Sequence, residues 1–228
     1  MVKNPELLPK KDGAPGAAAY NNVALLIYDY LVLKFMSYFF WRCSTTQVTL
    51  PFFRSHVRRT HLDIGVGTGY FLQHSHLAPD APITLCDLNA NCLEKTKERL
   101  GRPDLDCLHH DILEPLPESV GSFDSISLMF LLHCLPPPQK RKCQVLCMLK
   151  HHLKPDGVLF GCTVLGPNSG DQTRLSKLAL RRINGKGRMG NLEDTEELFV
   201  EALRKNYGDV ESQVVGSMLL FSARKPIL

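Results

Sequence analysis

The chain has 228 residues, of which 44% are hydrophobic and 22% charged, and its net charge is +4. This length suits one α/β domain and is too short for two, and the composition excludes wholesale disorder. A modest charge without a basic stripe along the chain argues against a nucleic-acid binder.

The N-terminal quarter is predicted to hold a flexible leader over residues 1–19 and an apolar helical lid over residues 20–57. The polar opening does not match a cleavable signal peptide. The tract 23–41 has about the length of one membrane span, but Asp29 and Lys34 lie in its middle. Charges at a bilayer centre are costly, so a buried or lid helix is favoured over membrane association.

Short apolar strands alternate with amphipathic helices over residues 58–228, which predicts a Rossmann-like, doubly wound α/β domain with a mostly parallel sheet. Seven strands are predicted, at 60–64, 82–86, 106–110, 123–130, 158–164, 210–215 and 218–224. A turn at 65–69 is predicted to lead into a helix that reaches about residue 76, and further helices are predicted at 89–100, 138–153 and 195–207, with a turn at 154–157 and a substrate-side insertion at 166–192. The tight Gly216-Ser217 link makes the last two strands an antiparallel C-terminal hairpin.

Eight cysteines are interpreted as buried or helical thiols rather than as a disulfide or metal set. Cys86, Cys107 and Cys162 lie in apolar strand-like runs, where cysteine behaves as a small hydrophobe. Cys143 and Cys147 are four residues apart on a predicted helix, which is not metal or redox spacing. This usage predicts a reducing compartment, the cytoplasm, and no bound metal.

A glycine-rich loop follows the first predicted strand, with Gly65, Gly67 and Gly69 alternating behind Asp63. Such a loop lets a ligand approach backbone and aims helix N–H groups at its polar atoms. The spacing is neither the dinucleotide fingerprint nor a phosphate-binding P-loop. Because the Asp63 carboxylate repels phosphate, the loop suits a cationic ligand such as an ammonium or a sulfonium.

Two further carboxylates end the second and third predicted strands. Asp87, about 20 residues after the loop, is placed to accept hydrogen bonds from ribose hydroxyls, with Leu88 and Asn89 as adenosine neighbours. Asp111 is placed to accept from an adenine amino group while Ile112 packs on the ring. Each carboxylate has a structural alternative, since the first could cap the following helix and the second could close a turn.

In order and spacing these residues resemble the class I S-adenosylmethionine-dependent methyltransferases, from about residue 55 to the C-terminus. The run 61–69 is similar to the first motif of the family, 123–136 to its fourth strand and following turn, and 153–159 to the turn into its fifth strand. The resemblance implies S-adenosylmethionine as cofactor, held by the residues above and by the backbone at Met129. It is strongest to small quinone and natural-product methyltransferases of secondary metabolism.

His133, after the fourth strand, is the candidate general base, since an ordinary histidine titrates near neutral pH. In the alternative interpretation it shapes the pocket or bonds to backbone. The candidate substrate-binding residues are His133 itself and the lid aromatics Tyr20, Tyr28 and Trp41, although these rings could simply pack the lid onto the sheet. In the insertion, a basic group could recognise an acidic substrate or form a solvated face; it consists of Arg181, Arg182, Lys186 and Arg188.

The sequence therefore predicts methyl transfer to a small, apolar acceptor, with its oligomeric state left open. One alternative is a protein that binds S-adenosylmethionine without transferring its methyl group, as a cyclase-like pocket or a partner subunit. A protein or RNA methyltransferase is less favoured, because Leu128-Met129-Phe130-Leu131 stands where an amide-recognising Asn-Pro-Pro-Tyr motif would be expected.

Overall fold

The computed structural model describes residue 33 and residues 35–228. The predicted leader 1–19 and the two tyrosines Tyr20 and Tyr28 lie outside the described residues, as does most of the tract 23–41. Within the described part, no helix is long and apolar enough to cross a membrane.

Seven strands form one sheet in the order β3-β2-β1-β4-β5-β7-β6. Strands β1 to β5 pair in parallel, and β7 is antiparallel to both β5 and β6. The predicted mostly parallel sheet with an antiparallel C-terminal hairpin is therefore confirmed. The strands are β1 His61–Ile64, β2 Ile83–Asp87, β3 Asp106–His109, β4 Phe123–Met129, β5 Leu153–Val164, β6 Tyr207–Val215 and β7 Met218–Pro226.

Among the described residues six helices accompany the sheet, and short helical turns at Ser37–Phe39 and Thr45–Thr49 precede the first of them. The Asn89 side chain caps the third helix by accepting from the Asn91 N–H at 3.0 Å, and Gly101 ends it with φ 64. The helices are α1 Leu50–His56, α2 Tyr70–Gln73, α3 Ala90–Leu100, α4 Gln139–Leu149, α5 Arg174–Gly185 and α6 Glu196–Asn206.

The predicted turn at 154–157 is not a boundary between helix and strand. Phe123 pairs with Leu153 and Ser125 already pairs with Val158, so two steps along β4 match five along β5. The four intervening residues bulge out of a strand that starts at Leu153, and the preceding helix ends at Leu149. The helix predicted to reach His76 is also shorter, since α2 ends at Gln73.

Buried side chains form two apolar clusters, one on each face of the sheet, as a doubly wound fold requires. On one face Phe53 of α1 packs against Phe71 and Phe160, with ring centroids 5.4 and 5.5 Å away. Trp41 is 1% exposed in the same cluster, and its carbonyl oxygen accepts from the Ser217 N–H at 2.8 Å. Trp41 and Phe53, both in the predicted lid, therefore pack on the sheet.

All eight cysteines lie in the described part of the chain and are free thiols. Cys86 and Cys162 are buried in their strands, as predicted. The expectation for Cys107 was wrong, because its side chain is exposed. Within the described residues, strand β3 is the outermost strand of the sheet and pairs with β2 alone.

Candidate functional site

A cavity opens at the carboxyl ends of β1, β2 and β4, where open α/β sheets bind ligands. The structure brings nearly all the predicted cofactor residues to its wall, and Gly69 is the one that does not line it. The residues that do are Asp63, Gly65, Gly67, Asp87, Leu88, Asn89, Asp111, Ile112 and Met129.

The three glycines of the loop have different tasks, although each has a positive φ, of 72, 55 and 71° in chain order. A Cβ at Gly65 would lie 2.8 Å from the Leu131 side chain, and one at Gly69 would lie 2.8 Å from the Thr96 side chain. A Cβ at Gly67 would meet no protein atom within 4 Å. The outer glycines therefore permit close packing, and the middle one leaves room for a ligand at the backbone.

Asp87 ties the glycine loop to the end of β2. Its Oδ1 accepts from the Asn89 N–H at 2.8 Å, and its Oδ2 accepts from the Gly67 N–H at 3.4 Å. Burial raises the pKa of this carboxyl, and the two backbone donors partly oppose that shift. The helix cap itself is Asn89, so Asp87 supports the turn while it lines the cavity.

Asp63 lies at the cavity end of β1 and is only 4% exposed. The Ser127 hydroxyl on the neighbouring strand β4 donates to its Oδ1. The pKa of Asp63 is raised to about 7, because burial and the negative charge of Asp87 raise it more than the hydrogen bond from Ser127 lowers it.

Asp111 closes a turn at the edge of the cavity. Its Oδ1 accepts from the Leu113 N–H at 3.0 Å, which closes the turn after β3, and the residue also lines the cavity. The neighbouring Ile112 is 6% exposed and presents an apolar surface to the same wall.

His133 is buried behind the wall of the cavity and is not among the residues that line it. Its Nδ1 accepts from the Val164 N–H at 3.2 Å and lies 3.3 Å from the Thr163 hydroxyl oxygen. Burial lowers the pKa of the imidazole to about 3, so the ring is neutral at physiological pH. These contacts match the alternative interpretation, in which His133 bonds to backbone.

Trp41 also lies away from the cavity, in the core. The apolar wall includes Leu33, which belongs to the predicted lid, together with Phe71 and Phe130. The Phe71 and Phe130 rings stack with centroids 6.0 Å apart. Phe130 has φ 56, which is rare for a bulky residue, and no sequence signal indicates that conformation.

Of the basic residues in the insertion, Arg188 is the one that lines the cavity. It follows Gly187, whose φ of 65° turns the chain after α5. The Gly190 N–H donates to the His133 carbonyl oxygen at 2.9 Å, and this bond fixes the segment against the turn after β4. Arg188 thus brings a positive charge to a wall whose carboxylates are Asp63, Asp87 and Asp111.

Comparison with known sequences gives one family and close relatives. The family model described as "Methyltransferase domain" matches residues 62–159. "Methyltransferase verB" of Penicillium polonicum is 43% identical over 226 residues, which cover 93% of this chain and 99% of the relative. The "Physcion biosynthesis cluster O-methyltransferase" of Aspergillus chevalieri is 44% identical over 225 residues, covering 98% of this chain and all (100%) of the relative. The "N-methyltransferase vrtF" of Penicillium aethiopicum is 40% identical over 188 residues, 82% of this chain and 79% of the relative.

Solved structures share the fold at low sequence identity. DhpI in complex with SAH has a TM-score of 0.67 at 17% identity and covers 94% of this chain and 97% of its own. The N-methyltransferase NodS of Bradyrhizobium japonicum, in complex with S-adenosyl-L-homocysteine, has a TM-score of 0.57 at 17% identity and covers 78% and 85%.

Proposed function

This chain belongs to the class I S-adenosylmethionine-dependent methyltransferases that act on small molecules, and on that premise we propose that it methylates an acidic hydroxyl of an apolar natural product. The cofactor is S-adenosylmethionine. The observation that carries the proposal is the wall of the cavity, which combines stacked aromatic rings with one arginine.

The residues at the strand ends fit this cofactor. Asp87 presents a carboxylate suited to ribose hydroxyls, and Asp111 with Ile112 suits an adenine ring. Gly67 leaves backbone accessible, and Asp63 places a carboxylate for the cationic methionyl end. When bound, S-adenosylmethionine supplies an electrophilic methyl group on a sulfonium.

On the acceptor side, Leu33, Phe71 and Phe130 exclude water and favour an apolar, ring-shaped substrate. Arg188 supplies the positive charge that stabilises the anionic form of an acidic phenol or enol. An acceptor that is already ionised needs no protein base, which agrees with the burial of His133 away from the cavity. The relative named an O-methyltransferase supports oxygen as the acceptor atom.

The eight free thiols suit a reducing compartment, and we place the enzyme in the cytoplasm.

The experiment that tests the proposal is incubation of the full chain with methyl-labelled S-adenosylmethionine and paired acceptors. Each pair consists of a hydroxylated aromatic compound and its amino analogue, with product structure determined by mass spectrometry and NMR. We expect labelled methyl ethers, formed faster from the more acidic hydroxyls. Label found only on amines would refute oxygen as the acceptor. Cofactor binding without turnover of any acceptor would favour a binding protein that transfers no methyl group.

A further inference from the structure

Four polar side chains form a buried row beneath the cofactor cavity: Ser125, His61, Ser127 and Asp63. Strands β1 and β4 pair in parallel with His61 opposite Ser125 and Asp63 opposite Ser127. Because paired residues of neighbouring strands point to the same face, all four side chains lie on one side of the sheet. His61, Ser125 and Ser127 are fully buried, and Asp63 alone reaches the cavity.

These side chains are joined end to end by hydrogen bonds. The Ser127 hydroxyl donates to Asp63 Oδ1, and its oxygen lies 3.1 Å from His61 Nε2. On the other side of the ring, His61 Nδ1 lies 2.8 Å from the Ser125 hydroxyl oxygen and 3.1 Å from the Ser125 carbonyl oxygen. The Arg58 N–H closes the row by donating to the Ser125 hydroxyl at 2.8 Å.

The imidazole in the middle of this row is held by aromatic neighbours. The Phe53 ring meets it edge-on with centroids 5.7 Å apart, and the Phe160 ring stacks on it at 6.1 Å. Burial among these rings lowers the pKa of His61 to about 3, so the ring is neutral and carries one N–H. The position of that N–H decides which neighbour receives a hydrogen bond.

With Asp63 charged, one arrangement of protons directs the side-chain hydrogen bonds from Ser125 towards Asp63 and leaves only the contact between Nδ1 and the Ser125 carbonyl oxygen without a proton. Ser125 donates to His61 Nδ1, His61 Nε2–H donates to Ser127, and Ser127 donates to the carboxylate. With Asp63 protonated, its own O–H donates to Ser127, which donates to Nε2, and Nδ1–H then donates to the Ser125 carbonyl. The two arrangements differ by one proton, and the first directs a chain of donors at the carboxylate.

The charges around Asp63 oppose ionisation in the absence of a cation. Asp87, at the end of β2, faces it with a second carboxylate, and burial acts in the same direction on both groups. The other titratable side chains on this cavity wall are Tyr70, Cys86, Cys92, His110, Asp111 and Cys134, and Arg188 adds a positive charge to the same wall. Ser127 is the hydrogen-bond donor that stabilises the charged form of Asp63.

We propose that cofactor binding is coupled to release of one proton from Asp63 to the solvent, and that Ser127 and His61 are the positioning residues that stabilise the resulting carboxylate. The cationic methionyl end of the cofactor supplies the attraction that favours ionisation. This inference rests on the proposed placement of the cofactor, with its cationic end beside Asp63.

The test is titration calorimetry of the full chain with S-adenosylhomocysteine in two buffers of different ionisation enthalpy. The difference in apparent binding enthalpy gives the number of protons released per site. Because the Asp63 pKa is about 7 in the free protein, we expect release to approach about one proton at about pH 6 and to vanish at about pH 9. Normal affinity with no proton release at about pH 6 would overturn the coupling. Failure of the wild-type chain to bind S-adenosylhomocysteine at any pH would instead refute the proposed function.

Variants separate Asp63 from Asp87, whose pKa is also raised. Asp63→Asn should bind more weakly and release no proton, and retained release would assign it to another group. Ser127→Ala should move the pH at which release is half complete upward, and Ser127→Thr, which keeps a hydroxyl, should restore it. The matched control is Ser222→Ala on β7, a buried serine two strands away from β4. An unchanged midpoint in Ser127→Ala would overturn the positioning role.

Discussion

The Lys142 ammonium lies 2.6 Å from the Asp194 carboxylate, and both side chains are shielded from solvent, with exposed fractions of 0% and 1%. The same ammonium donates to the Gly190 carbonyl oxygen at 2.8 Å. Helix α4 is thus fixed to the segment that ends the insertion, and this segment carries Arg188.

Removing one member of this pair should destabilise the fold strongly, because the other charge would stay buried without a partner. We expect Lys142→Met to lower the free energy of unfolding by about 3–5 kcal/mol. The double variant Lys142→Met with Asp194→Leu should recover most of that loss, since two apolar side chains replace the pair. Urea denaturation followed by circular dichroism measures both. A double variant as unstable as the single one would show that the charges themselves are needed.

Alanine at Gly69 should mainly lower the stability of the fold, whereas alanine at Gly67 should mainly weaken cofactor binding. At Gly69 the new methyl group would meet Thr96 and the residue would keep φ 71, so we expect a stability loss of about 2–4 kcal/mol. At Gly67 only the left-handed backbone is strained, at about 1–2 kcal/mol, but the methyl group enters the cavity. Thermal unfolding and calorimetry with S-adenosylhomocysteine separate the effects. Wild-type affinity in Gly67→Ala would contradict the assignment of that backbone to the cofactor.

Asp87→Asn tests the ribose assignment with almost no change in shape. One acceptor oxygen remains for the Asn89 N–H, and the other oxygen, which accepts from the Gly67 N–H and could accept from ribose, is lost. We expect S-adenosylhomocysteine to bind about 10- to 100-fold more weakly. Asp104→Asn, an exposed carboxylate before β3, is the control and should bind normally. Equal affinities in the two variants would show that Asp87 does not hold the ribose.

Arg188→Gln should weaken the binding of anionic acceptors selectively. Loss of a charge-assisted hydrogen bond corresponds to an increase in KM of about 10- to 100-fold. Neutral analogues of the same acceptors should be unaffected. Arg181→Gln on the exposed part of α5 is the matched control, because it removes the same charge from the insertion without touching the cavity. A similar rise in KM in both variants would indicate a long-range charge effect rather than a contact.

His133 should affect stability rather than the pH dependence of catalysis. Its pKa is about 3 in the folded protein and about 6.5 when unfolded, so the stability that it contributes is present above about pH 6.5 and is lost as the pH falls. In His133→Asn, the decline of the unfolding free energy below about pH 6 should be shallower by about 1.4 kcal/mol per pH unit. The pH profile of kcat should keep its shape. A lost ionisation in that profile would reinstate His133 as a base.

The sequence predicted well which residues meet at the cavity, because those residues follow strand ends directly. Asp63, Asp87 and Asp111 each lie at or just after the end of a parallel strand, and parallel strands bring their carboxyl ends to one edge. Position along the chain therefore implies position in space. The alternating strands and helices also predicted the sheet and its antiparallel hairpin, although the bulge in β5 depends on pairing that no local pattern shows.

The acceptor side was predictable only in part, because its geometry depends on packing between distant segments. The sequence identified Arg188 within a basic group but could not distinguish it from Arg181, which does not line the cavity. The stacked pair Phe71 and Phe130 joins residues that lie 59 apart in the chain, and it depends on an unusual backbone conformation. The sequence also did not show the direction of the His133 ring, because that direction is set by a hydrogen bond from Val164 on β5.

The Lys142–Asp194 attachment also bears on how acceptor preference can diverge. Since the ion pair and the Gly190 bond hold the base of the segment, the residue at position 188 can be exchanged without loosening either anchor. The carboxylates on the cavity wall, Asp63, Asp87 and Asp111, lie at or after the ends of strands, and an exchange at position 188 would not alter them. Acceptor preference can therefore diverge through substitutions at position 188, and a library of variants at this single position is an efficient way to obtain enzymes with altered acceptors.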